Sequence, residues 1–185
     1  MSHRLAIAGT CFLIDWSSYR RRALLSELFT SIFIPENVLD EVYKEDTIMW
    51  ISSELATGSL QLYTPPEYIV REAEYLVSTV ASRPHLRRIE LPEAICLAAG
   101  RSLGAVVLTE NLGALQATLH IPEYHGVKVW RALEVLREAL LKGLIKASSR
   151  SEVEEVFREY EHDTRHLFSR ESLERVISEV ITLES

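Results

Sequence analysis

Apolar residues follow two rhythms along this chain. In one they form short unbroken runs, and in the other they recur every third or fourth residue over longer stretches. The runs are Leu5-Ala6-Ile7-Ala8, Ser31-Ile32-Phe33-Ile34 stopping at Pro35, Leu60-Gln61-Leu62-Tyr63 ahead of Pro65-Pro66, Ala105-Val106-Val107-Leu108-Thr109 and Val127-Lys128-Val129-Trp130. Each has strand length and is bounded by turn-forming residues. Helical spacing fills the intervals. Ser17 or Ser18 caps a helix running to about Phe29, with Leu24, Leu25 and Leu28 as its stripe. Pro35 opens a single helix that carries Val38, Leu39 and Val42, then Met49, Trp50 and Leu55, and ends at Gly58. Further helices are expected around Tyr68 to Val80, from Pro92 to Leu103 with Gly104 closing, from Asn111 to His120, and up to Leu141 with Gly143 at the end. Strands that alternate with helices predict an α/β fold with a parallel sheet covered on both faces.

The pattern changes character after residue 145. Residues 146–151, Lys-Ala-Ser-Ser-Arg-Ser, read as a linker. Two amphipathic helices follow, from Val153 to about Tyr160 and from about Arg170, capped by Ser169, to Ile181. The chain thus divides into a domain over 1–145 and a helical extension over 146–185. Val153, Val156, Phe157, Leu173, Val176, Ile177 and Val180 form apolar stripes on helices too short to be stable alone, so they need a surface to cover.

Charge sharpens this division. The chain carries 20 Lys/Arg and 27 Asp/Glu, and residues 151–185 hold 10 of the acids against 4 of the bases. The body is nearly neutral, so any surface for a phosphate backbone must be local. The acidic tail is expected to avoid such a surface, packing on the opposite face or on a second subunit in a homodimer. With 47% hydrophobic residues the chain has ample material for a core. No apolar run approaches the ~20 residues that span a bilayer, and no signal peptide is expected. Cys11 and Cys96 match no zinc spacing and read as two buried thiols in a reducing cytoplasm. No glycine pattern fits a nucleotide phosphate loop. His162 and His166, four apart, read as a solvated helical face rather than a metal pair.

Four short motifs carry the candidate chemistry. They are Gly9-Thr10-Cys11 after the first strand, Pro35-Glu36-Asn37-Val38-Leu39-Asp40-Glu41, Pro92-Glu93-Ala94-Ile95 at a helix start, and Thr109-Glu110-Asn111 after the fourth strand. Strand ends that open into helices are where open α/β sheets place their sites. Hard divalent ions bind such clustered carboxylates, and they activate water for phosphodiester hydrolysis.

In order and spacing these motifs resemble those of the PIN-domain ribonucleases, over roughly residues 4–145. The extension as far as Phe168-Ser169-Arg170 is similar to tails of some prokaryotic, mainly archaeal, PIN-like proteins. The resemblance implies a three-layer α/β/α fold and a site for Mg²⁺ or Mn²⁺. It places Glu41 and Glu93 at two catalytic, metal-ligating positions. Gly9 stands where the family has Asp, and Asn111 where it has another Asp. Two of four expected acids therefore remain, and Asp15 and Glu110 are the neighbouring acids able to compensate. Residue by residue, Asp15 either joins the site or caps and faces water, and Asn111 either ligates or caps its helix. Thr10, Thr109 and Asn111 are expected to position substrate. Arg20, Arg21, Arg22, Arg87 and Arg88 either contact phosphates beside the cleft or form solvated, ion-paired faces. The implied function is RNA handling at an eroded metal site. The alternatives are an active divalent-metal endoribonuclease of toxin type, held off by an inhibitory protein partner, and a non-catalytic dimeric scaffold.

Overall fold

The structure is a computed structural model that describes residues 4–184. Five strands, β1 (Leu5–Ala8), β2 (Ser31–Pro35), β3 (Leu60–Tyr63), β4 (Val106–Leu108) and β5 (Val129–Trp130), form one sheet in the order β3-β2-β1-β4-β5. Every pairing is parallel, with Ile7 facing Phe33 on one side and Val107 on the other. The order reverses direction at β1, so the crevice beyond the carboxyl ends of β1 and β4 is where this architecture places a ligand. Ala6, Ile7, Ala8, Val107 and Leu108 are buried because helices cover both faces, giving the three-layer α/β/α arrangement.

The helices are α1 (Thr10–Ser17), α2 (Leu24–Leu28), α3 (Glu36–Leu39), α4 (Glu45–Thr57), α5 (Glu67–Ala81), α6 (Leu91–Leu103), α7 (Leu112–His120), α8 (Ala132–Leu141), α9 (Arg150–Thr164) and α10 (Arg170–Glu184). Two differ from the sequence expectation in ways that matter. The first helix begins at Thr10, directly after β1, and ends at Ser17. Ser17 is not a cap: its hydroxyl donates to the carbonyl of Ile14 and shares a hydrogen bond with buried Thr47. The single helix expected after Pro35 is two. Backbone bonds from Glu41 to Val38 and from Val42 to Leu39 tighten the end of α3, and the chain turns before α4 restarts at Glu45. The restart resets the helical phase, so Met49 faces outward while Trp50 and Ile51 are buried. Gly58 and Gly104 close α4 and α6 in the left-handed region, as their positions imply.

The tail packs on its own chain. Val153, Val156, Phe157 and Tyr160 of α9 and Val176, Ile177 and Val180 of α10 are buried, against α8, α1 and each other. Tyr160 stands 5.7 Å from the Trp16 ring and 5.1 Å from the Tyr19 ring, and it stacks on Phe168 at 5.4 Å. A second subunit is therefore not what covers the stripes. Nor does the tail lie on the far side of the molecule. The segment between α9 and α10 reaches the carboxyl edge of the sheet, entered through Arg165, a left-handed residue (φ 63°) that ends α9. Ser169 caps α10 as expected, accepting from the Ser172 amide.

Candidate functional site

The carboxyl ends of β1 and β4 are tied together by the Gly9 amide, which donates to the Leu108 carbonyl at 2.8 Å. The Cys96 thiol of α6 points at the Ala8 carbonyl, so the start of α6 lies over the same edge. Gly9, Thr109 and Glu93 thus meet at one place. The turn that ends α3 delivers Glu41 there, where its Oε2 accepts a 2.7 Å hydrogen bond from the Thr10 hydroxyl. Glu93, in the first turn of α6, keeps one carboxylate oxygen buried with no hydrogen-bond partner. Burial, reinforced by the Glu41 charge, pushes its carboxyl above the ordinary range.

The other two acids are held differently. Asp15 lies near the end of α1, and Glu110 stands just beyond Thr109 after β4. His166 from the tail stands between them, with Nδ1 at 2.9 Å from Asp15 and Nε2 at 3.5 Å from Glu110. Glu110 also accepts from the Ala132 amide at the start of α8. Burial raises both carboxyls, and His166 pulls both back down. Asp15 therefore neither caps a helix nor faces open water. His166 is the residue whose role the sequence does not display, since its spacing from His162 reads as a solvated face. Only His162 is, being 71% exposed on its side chain against 29% for His166.

The remaining positions have specific partners. Thr109 is buried, and its hydroxyl accepts from the Asn111 amide. The Asn111 side chain caps α7 by accepting from Ala114, which fixes it at the edge as a neutral group. Cys11, expected to be buried, is exposed; burial of its thiol in part, together with the surrounding acids, keeps it protonated. An added Cβ at Gly9 would make ordinary contacts at 3.5 Å with Leu108 and Thr109, so sterics do not dictate glycine there.

The two arginine clusters separate. Arg20 grips Asp163 through two of its guanidinium nitrogens, holding that carboxyl well below the usual range, and Arg21 donates to Glu159 through two of its own. Arg22 donates to the Ser17 carbonyl. Arg87 and Arg88 are exposed, and their side chains have no partner among the described residues. Their carbonyls lie against Gly113, where any Cβ would clash at 2.8–2.9 Å, and this locks the segment onto the start of α7.

Chemically, the edge offers two neighbouring carboxylates, one of them with an orphaned oxygen, and a second acid pair already bridged by an imidazole. Among the described residues no group of three or more His, Cys, Asp or Glu side chains is arranged to hold a metal ion. No helix of the described residues is long and apolar enough to cross a membrane.

Against known proteins, a family model for a PIN domain, DUF3368, matches residues 5–181. No curated protein matches the chain. Among solved structures, the crystal structure of VapBC2 from Rickettsia felis bound to a DNA fragment from their promoter is similar at 14% identity, with a TM-score of 0.48, over 69% of this chain and 98% of that one.

Proposed function

The chain belongs to the PIN-domain family, and from that premise we propose that it handles nucleic acid at a metal site that has lost half of its acids, with nuclease activity weak or lost. The observation that carries this reading is the division of the edge. Glu41 and Glu93 remain as neighbouring carboxylates, while Asp15 and Glu110 are bridged by His166 and Gly9 and Asn111 contribute no charge.

The residues present suit a hydrated divalent cation in part. Glu41 and Glu93 would hold it, and the unpartnered Glu93 oxygen is a ready acceptor for that purpose. Two carboxylates bind Mn²⁺ weakly, and Mg²⁺ more weakly still because it gives up its water reluctantly. When bound, the ion supplies an activated water and stabilises the leaving oxygen. Thr10 orients Glu41 through its hydroxyl. Thr109 and Asn111 position substrate at the same edge, each held by a local hydrogen bond. Arg87 and Arg88 are free to take phosphates, whereas Arg20 and Arg21 are spent on the tail.

The test is cleavage of single-stranded and structured RNA with Mn²⁺ present. The wild type should cut little, and Gly9→Asp with Asn111→Asp should restore cutting where either alone does not. Gly9 has room for a side chain, and Asp can replace Asn as the α7 cap, so the double variant should fold. Robust wild-type cutting abolished by Glu41→Ala would make the chain an active endoribonuclease instead. Absence of both cutting and binding would favour a scaffold.

A further inference from the structure

Beside the acid edge, the tail and the ends of β4 and β5 enclose a cavity of about 240 Å³. Its walls include Glu110, Leu112, Arg131, His166, Phe168 and Ser172. We infer that this cavity is a subsite for a single unstacked nucleobase, formed only because the tail folds back on the domain; the inference rests on the nucleic-acid reading above.

Size is the first argument. Pockets for drug-sized ligands run to about 300–1,000 Å³, so this one has room for one ring system and not for a run of nucleotides. Chemistry is the second. Three of its lining residues, Arg131, His166 and Phe168, carry flat π groups, the class of side chain on which splayed-out bases stack. A wholly apolar guest would strand the polar groups that also face it, at a desolvation cost. A base satisfies both requirements, being apolar on its face and polar at its edge.

The hydrogen-bonding capacity left over is specific. Glu110 spends Oε1 on the Ala132 amide, while Oε2 meets only the long 3.5 Å approach of His166. Arg131 spends Nε and Nη2 on Glu134 and keeps Nη1. Ser172 accepts from Ser169, so its own hydroxyl proton is free to donate. An acceptor carboxylate favours a base with an exocyclic amino group, so cytosine should be preferred over uracil. The phosphate chain also has a route. Leu112 at the rim precedes Gly113, against which the Arg87 and Arg88 backbone is packed, and both guanidiniums there are free. Backbone contacts at Arg87 and Arg88 and base contacts in the cavity then divide the binding between them.

Three labelled single-stranded pentanucleotides test this by fluorescence anisotropy: one with a central cytosine, one with uracil and one abasic at that position. The cytosine oligonucleotide should bind about tenfold more tightly than the abasic one, in line with the stacking contribution of one base, with uracil between them. Leu112→Trp, at a position 41% exposed, should fill the cavity and erase the difference between the cytosine and abasic probes. Ser172→Trp fills it from α10 and repeats the test if the first variant folds poorly. Arg87→Glu with Arg88→Glu should weaken all three probes alike. Equal binding of cytosine and abasic probes by the wild type would overturn the base subsite and leave the nucleic-acid reading intact. No binding of any probe would overturn both.

Discussion

The acidic edge has two halves, and they are built on opposite terms. Glu41 and Glu93 come from the body of the domain, separated by 52 residues, and leave a carboxylate oxygen with no partner. Asp15 and Glu110 also come from the body, but a residue from the far end of the chain closes over them. The first half keeps one oxygen without a protein partner. In the second an imidazole stands between the two carboxylates. A site with four free acids would repel itself strongly unless a cation were present. In this chain an imidazole stands between two of the acids, and Gly9 and Asn111 add no charge beside the other two.

The comparison breaks most severely if the tail is removed. Ending the chain after Lys146 would uncover Trp16 and Tyr19 and delete Phe157 and Tyr160, each of them buried. Fully burying one large apolar side chain contributes about 1.5–3 kcal/mol, so losing several rivals the whole stability of a domain. Aggregation and loss of a cooperative melt are expected by light scattering and circular dichroism. A soluble truncated domain that melts cooperatively would show that the two halves do not differ in their dependence on the tail.

Next in size is Phe157→Ala, which hollows the aromatic cluster of Phe157, Tyr160 and Phe168 beside His166. It should cost about 3–5 kcal/mol in urea unfolding, as for other large core truncations. His166→Ala should be milder, about 1–3 kcal/mol, because it strands partly buried carboxylates without emptying the core. It should also raise the Asp15 carboxyl further above its ordinary value, since burial remains and the charge and hydrogen bond that oppose it are gone. NMR titration of side-chain carboxyls checks the direction, and an unchanged or lowered Asp15 would deny His166 its role in the second half.

The smallest effect sharpens the first half. The Glu93 carboxyl sits above 4.5 in the folded chain. From 4.5 up through that raised value the folded state keeps a proton that the unfolded state has released, so stability falls as pH rises. Glu93→Gln removes that slope. It should be more stable than the wild type near neutrality, by on the order of 0.5 kcal/mol, and equal to it in acid. Thermal melts across pH of the two proteins measure the difference, and Mn²⁺ should narrow it by stabilising the wild type alone. A variant that parallels the wild type at every pH would place Glu93 outside any strained pair.

The strands were legible because each is a buried run that sequence displays directly, and so were the glycine helix ends. The start of α1 was not. Gly9 offers no side-chain cap, whereas Ser17 resembles one and spends its hydroxyl on Ile14 and Thr47 instead. The break between α3 and α4 is hidden for a similar reason: Lys44 begins α4 without a capping bond. Glu41 and Glu93 were singled out by motif position. His166 was out of reach, because its meaning depends on Asp15 lying 151 residues away, and local spacing carries no trace of that. The same distance hid the pairing of Arg20 and Arg21 with tail acids.

That long reach from Asp15 to His166 also orders events in time. A chain made from its N-terminus at about 5–20 residues per second completes β4 and exposes Glu110 well before His166 exists. For about 3–11 s, the interval for the 56 residues between them, the newborn protein carries all of its edge acids uncovered. Its fully closed form is available only to finished molecules.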